Sequence, residues 1–302
     1  MYHGIINVYK EKGFTSHDVV AKLRGICKQK KIGHTGTLDP DAVGVLPVCL
    51  GSATRLCDML TDKDKEYIAV FRLGITTDTQ DISGRVLEER EVTVSEEEAV
   101  KAIESFQGEL LQVPPMYSAL KVNGKKLYEL AREGKEIERA ARPVTVYEIE
   151  ILEKNMPEFT VRVKCSKGTY IRTLCHDIGQ KLQCGAAMVS LVRTKAGRFE
   201  IEKSYTLLQL QALSDEGKLN EVIIPVEKMF ENLPAVMVKE SSYKALVNGN
   251  QLQAAGLISM PEGEDVTSYE EMRVYNHEGR FYGIYRYDKN RKLFCPVRMF
   301  FM

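Results

Sequence analysis

The segment GHTGTLDPDAVGVLPVCLG, residues 33–51, holds four glycines and two prolines. It shows neither helical nor strand periodicity, so it reads as an ordered loop shaped by its punctuation residues. Asp39 stands directly before Pro40, which keeps its backbone extended and so fixes where its carboxylate points. An isolated Asp-Pro pair is an ordinary turn signal. This one follows His34 and a run of cations, Lys22, Arg24, Lys28, Lys30 and Lys31, with no acid between positions 22 and 31. The run is either a solvated helix end suited to the macrodipole or a phosphate-binding patch. Its place just before the loop favours the second reading.

Working outward, GIINVY (4–9) predicts a short buried strand. The spacing of Val19, Val20, Leu23, Ile26 and Cys27 predicts a helix, with Ser16 as its N-cap. YIAVFRL (67–73) reads as a strand buried on both faces, and GRVLEE (84–89) as another. Ser95 with Glu98 forms a capping box for a helix that buries Ala99, Ala102, Ile103 and Phe106 and stops at Gly108. Strands are expected again at 144–152 and 159–166. Ile171, Leu174, Cys175, Ile178 and Leu182 are spaced as one helix face. Tyr170 and Arg172 are two apart and share a face only in extended chain, so strand is expected through Arg172, with the helix starting near Thr173. Internal repeats and regular βαβ units are absent, and the pattern predicts a mixed α+β fold with flanking helices.

Beyond Leu233-Pro234 the pattern changes to a short helix near 242–247, an Asn-Gly turn at 248–249, and a hairpin. MRVYN and FYGIYRY form its arms around His277-Glu278-Gly279. A small β-rich module over 233–302 is therefore expected behind a larger domain over 1–232. At 302 residues and 44% hydrophobic the chain can bury a substantial core. Lys+Arg and Asp+Glu both number 42, so any nucleic-acid binding must rest on local patches rather than on a global field. The seven cysteines form no CxxC pair and no zinc spacing, and the five histidines show no ligand pairing, so reduced thiols and no metal are expected. No apolar signal core opens the chain and no stretch approaches a membrane span, which leads to the expectation of a soluble cytoplasmic protein.

The motif GHTGTLDPDAVGVLPVCLG resembles the catalytic motif of the TruB pseudouridine synthases. The resemblance continues in order through KEY (65–67), TDTQD (77–81), PPMYSALKVNGKKLYELAREG (114–134) and GTYIRTLCHDIG (168–179), spanning residues 4 to 200. It implies a largely antiparallel synthase core, a PUA-like C-terminal RNA-binding domain, and isomerisation of the T-loop uridine of tRNA without a cofactor. By resemblance Asp39 is the nucleophile, attacking either ribose C1′ or the uracil ring. Arg172 pairs with it through its planar fork and is expected to lower its pKa. Tyr67 stacks on the flipped base, and Tyr170 and Leu191 complete the pocket. His34 fills the gap left by the base. Asp81 aligns with an acid near the site, and Lys10 with the lysine of an N-terminal motif whose following proline is here Glu11.

The resemblance also makes residues 112–142 an RNA-gripping insertion, with Lys121, Lys125, Lys126, Arg132 and Lys135 as its cations. Arg193, Lys195 and Arg198 are candidates for further phosphate contacts. A monomer acting on tRNA with no obligatory protein partner is expected. Two other readings remain. Guide-RNA synthases share the core but usually carry longer basic extensions than this chain shows. A non-catalytic RNA-binding or RNA-folding protein would leave Asp39 dispensable.

Overall fold

A computed structural model of the chain describes residues 1–122, 124–260 and 263–300. Asn123, of the Asn-Gly pair in the insertion, lies outside the described residues. In chain order the strands are β1 (Gly4–Lys10), β2 (Ile32–His34), β3 (Val43–Leu50), β4 (Lys65–Leu73), β5 (Ile75–Thr77), β6 (Val86–Glu89), β7 (Gly108–Gln112), β8 (Lys121–Val122) and β9 (Lys125–Lys126). They continue with β10 (Arg142–Asn155), β11 (Glu158–Cys165), β12 (Ala186–Ala196), β13 (Phe199–Glu200), β14 (Ala235–Val238), β15 (Leu257–Met260), β16 (Glu271–Tyr275), β17 (Phe281–Asp288) and β18 (Leu293–Met299). The helices are α1 (Ser16–Ile26), α2 (Cys57–Thr61), α3 (Glu96–Glu104), α4 (Leu127–Arg132), α5 (Ile171–Lys181), α6 (Leu207–Asp215) and α7 (Tyr243–Val247).

The main sheet runs β1-β3-β12-β4-β11-β10-β7, with β2 on β3 and β13 on β12. Its pairings are antiparallel except β3 with β12. Helices α3 and α5 cover one stretch, packing Ala99, Ile103, Ile171, Leu174 and Ile178 onto Phe71, Phe159 and Val161. Helices α1 and α6 cover another, with Val19, Leu23 and Leu210 against Ile6, Val8 and Leu46. A second sheet, β15-β14-β16-β17-β18, forms the C-terminal module. It joins the larger unit through Phe281, Ile284 and Phe300, which pack with Ile5, Val45 and Phe199. The α+β class and the β-rich C-terminal domain are as the sequence predicts. Among the described residues no helix is long and apolar enough to cross a membrane.

Several local expectations are corrected. The stretch 33–51 is only half loop, because Val43–Leu50 is a strand buried almost throughout. Its punctuation residues sit where the sheet tolerates them. Pro47 falls between the part of β3 joined to β2 (Val48–Leu50) and the part joined to β12 (Val43–Gly44). Gly44, at φ +106°, lets β12 approach so closely that a Cβ there would lie 2.3 Å from the Arg193 carbonyl oxygen. Strand β4 is buried on one face only, alternating through Tyr67, Ala69, Phe71 and Leu73.

Helix α1 is capped by Thr15, in a capping box with Asp18, and Ser16 is already helical. Helix α5 begins at Ile171 rather than near Thr173, so Arg172 lies in its first turn. Tyr170, extended at φ −98° and ψ 109°, is its N-cap, and the change of direction there lets both residues reach one cavity.

Candidate active site

The end of the 33–42 loop is tied down on three sides. The Asp39 carbonyl accepts from Ala42 N at 3.1 Å, closing a turn over Pro40. Lys10, wholly buried at the end of β1, donates from Nζ to the carbonyls of Ala42 (2.6 Å), Pro40 (3.0 Å) and Glu11 (3.2 Å). Burial lowers the Lys10 pKa to about 8, with Asp39 opposing the shift. From α1, Ser16 Oγ accepts from Leu38 N at 2.9 Å. The loop carrying Asp39 is therefore held by β1 and by the start of α1, and the Lys10 ammonium is turned to the backbone.

Asp39 lines a cavity of about 550 Å³ with Tyr67, Ser118, Tyr170, Arg172, Leu191 and Arg193. Arg172, with 7% of its side chain exposed, meets it from α5. Its Nη2 lies 3.1 Å and 3.2 Å from the two Asp39 oxygens. The same guanidinium reaches Asp81 Oδ2 at 3.3 Å and donates to the carbonyls of Thr79 (3.3 Å) and Tyr117 (2.8 Å). Asp81 is in turn held by the hydroxyls of Thr79 (2.8 Å) and Ser83 (2.5 Å). One arginine thus joins the Asp39 loop, the 77–81 segment and the first residues of the insertion.

The expected depression of the Asp39 pKa is not found. Burial pushes it up, Arg172 opposes, and Asp81 adds to the rise. The cause is structural: Arg172 is shared between two carboxylates, and the 40% of Asp39 side-chain surface that remains open faces a recess rather than bulk water.

Tyr67 forms part of the cavity wall from β4, its phenol held above the ordinary pKa by burial while the Arg193 guanidinium opposes. Tyr170 is fixed by a two-way amide pair with buried Gln112 on β7: Gln112 Nε2 donates to its carbonyl (3.0 Å) and its N–H donates to Gln112 Oε1 (2.8 Å). Leu191, on β12, is buried against the same space. His34 ends β2 outside the cavity lining, edge-on to His17 at 5.2 Å, with Nδ1 lacking a protein partner. Burial lowers its pKa, and His17 adds to the effect.

Of three further sequence candidates for phosphate contacts, Arg193 alone is placed away from the surface; Lys195 and Arg198 are exposed. Arg193 is 1% exposed beneath the cavity, Lys195 pairs with Glu200 (3.0 Å), and Arg198 with Glu231 (2.6 Å). In the insertion, Lys126 and Arg132 flank the Tyr128 ring at 5.3 Å and 5.4 Å, and Lys125 and Lys135 share Glu133. Among the described residues no group of His, Cys, Asp and Glu is arranged to hold a metal ion.

Residues 24–171 match the TruB family pseudouridylate synthase N-terminal domain, and residues 172–231 the tRNA pseudouridylate synthase B C-terminal domain. The chain is 54% identical to tRNA pseudouridine synthase B of Lachnoclostridium phytofermentans, with 99% of each chain covered. The chain belongs to the TruB family of pseudouridylate synthases. It is also 50% identical to tRNA pseudouridine synthase B of Clostridium acetobutylicum, over 93% of this chain and 94% of that one. A chain in the crystal structure of a Cbf5-Nop10-Gar1 complex is similar at 30% identity and a TM-score of 0.70, with 99% of this chain and 85% of that one covered.

In and around the cavity stand groups that sequence reasoning passed over. Ser16 was expected only as a cap, and Gln112 carries no local signal beyond being a polar residue buried on an edge strand. Lys65 belongs to the KEY motif, yet nothing in that motif shows its ammonium folded onto the carbonyls of Thr61 and Lys63 beside the cavity.

Proposed function

We propose that this protein is a stand-alone tRNA pseudouridine synthase that converts the T-loop uridine at tRNA position 55 to pseudouridine, with Asp39 as nucleophile on an extruded base. The observation that carries the reading is the Asp39–Arg172 pair in a cavity bounded by Tyr67, Tyr170 and Leu191. The names of the full-length relatives supply the substrate class.

In this reading Arg172 orients the Asp39 carboxylate and favours its ionised form. Tyr67, Tyr170 and Leu191 take the place of the stacking neighbours that the uracil loses on leaving the RNA. His34, neutral by burial, enters the gap in the RNA. Asp81 holds the far side of Arg172, and Lys10 acts on the chemistry through the position of the Asp39 loop. Isomerisation moves one glycosidic bond with no net redox change, so no cofactor is required. The insertion at 112–142 grips the RNA through Lys121, Lys125, Lys126 and Arg132, and tRNA affinity falls as salt rises. The module at 233–302 adds a PUA-like RNA contact. The protein works as a cytoplasmic monomer.

The test is to incubate purified protein, without cofactor, with an unmodified tRNA transcript and to map pseudouridine by carbodiimide labelling and primer extension. Conversion confined to the T-loop uridine supports the proposal. Conversion elsewhere rejects the target. Tight tRNA binding with no conversion rejects the enzyme reading in favour of an RNA-binding role.

A further inference from the structure

Among the described residues Arg193 is the largest fully buried side chain, and no carboxylate lies within ion-pairing distance of it. Its Nε donates to the Val45 carbonyl at 2.7 Å, and Nη2 has no partner. Its charged neighbours make this worse. Its positive charge bears on Lys10 and on Lys65, both of which burial has already lowered to about 8. A buried guanidinium without a counter-ion costs several kcal/mol. A fold retains such a group at little benefit unless a negative charge arrives beside it.

The position of Arg193 says where that charge arises. Leu191 and Arg193 are two apart on β12, with the register irregularity falling after Arg193, and both line the cavity. Arg193 stands directly opposite Tyr67 in the ladder. It is therefore at the level of the base, not at the rim where a backbone phosphate would pass, and its 1% exposure excludes a phosphate from the surface.

We infer that Arg193 is a further catalytic residue, which receives through a carbonyl oxygen the negative charge that develops on the uracil ring. This rests on the synthase reading above. The charge arises by either route of attack. If an Asp39 oxygen bonds to C1′, the N1–C1′ bond breaks and its electron pair stays on uracil as a monoanion spread over N1, O2 and O4. If Asp39 adds to C6, the electron pair of the C5–C6 double bond moves to O4, and the N1–C1′ bond then breaks with its electron pair left on N1. Rejoining forms the C5–C1′ bond and releases Asp39; C5 then loses one proton and N1 gains one. A preorganised donor in a dry site acts on the charged stage alone.

The experiment compares wild type, Arg193→Met and Arg193→Lys in single-turnover assays on tRNA carrying uridine or 5-fluorouridine at the target position. Fluorine stabilises the ring anion, so a variant lacking the cation should be less impaired on that substrate. Fluorine also leaves no C5 proton to lose, so the readout there is cleavage of N1–C1′ and formation of the C5–C1′ link rather than finished pseudouridine. Arg193→Met should consume uridine about 10²–10³-fold more slowly than wild type, with tRNA binding retained. Its deficit should shrink by about tenfold on 5-fluorouridine, and Arg193→Lys should show a smaller deficit with the same substrate dependence. Equal slowing on both substrates means a purely structural role and overturns the inference, as does Met at wild-type rate. If Arg193→Met does not fold, Arg193→Lys carries the same comparison. Failure of the wild type to convert uridine is a failure of the underlying synthase reading instead.

Discussion

Replacing Arg172 with methionine keeps the apolar stem of the side chain and removes its charge. The loss comprises two contacts to Asp39, one to Asp81 and two carbonyl hydrogen bonds. Removing one partner of a buried ion pair costs roughly 3–5 kcal/mol. Asp81 keeps its bonds to Thr79 and Ser83, and the open part of Asp39 faces the cavity, so the remaining donors screen part of the loss. The expected cost is about 3 kcal/mol, a fall in Tm of about 5 °C for a chain of this size. The single-turnover rate should drop by at least about 10²-fold, since the nucleophile loses its anchor.

Adding Asp81→Asn removes one stranded carboxylate and should restore about 1 kcal/mol of stability without restoring turnover. Calorimetry and single-turnover kinetics on the same preparations separate the two effects. An Arg172→Met protein within about 0.5 kcal/mol of wild-type stability, or within about threefold of its rate, would refute the claim that this arginine holds Asp39.

Three further outcomes follow from the geometry. Because burial raises the Asp39 pKa, the rate should fall on acidification through a pKa above the ordinary aspartate value of 3.8, and Arg172→Met should move that limb still higher; pH–rate profiles check both. The same shift makes ionised Asp39 a destabilising group: the folded chain holds the proton more tightly, so the cost is absent below pH 3.8 and complete above the raised pKa. Thus Asp39→Asn should raise Tm at pH 8, with the gain shrinking towards pH 4. Ser16→Ala removes the bond to Leu38 N and should cost about 1 kcal/mol while lowering turnover more than tRNA affinity, as measured by melting and by filter binding.

Much of this arrangement was legible in the residue pattern, and the failures have physical causes. The Asp39 loop could be read because Gly36 and Pro40 mark an ordered turn. Strand β3 could not, since Gly44 and Pro47 break the strand pattern, and only the tertiary neighbours at positions 43–50 show why each is tolerated. The family resemblance put Tyr170 and Arg172 on one pocket, and the i,i+2 argument built on it chose the wrong backbone, because a helix start can also turn two side chains to one cavity.

The sign of the Asp39 shift depended first on burial in a recess built from distant segments, with Asp81, 91 positions from Arg172, adding to the rise. Arg193 was marked as a cation, but its burial follows from the packing of β12 against β3 and β4, and no local pattern reports that.

The most direct test of the central claim is single-turnover conversion of unmodified tRNA by Asp39→Asn, with tRNA affinity measured on the same protein. The amide keeps the shape and hydrogen-bonding reach of the side chain and loses its nucleophilic charge. The account predicts no detectable pseudouridine with affinity within about threefold of wild type. Pseudouridine formed at a rate near that of the wild type would show that Asp39 is not the nucleophile.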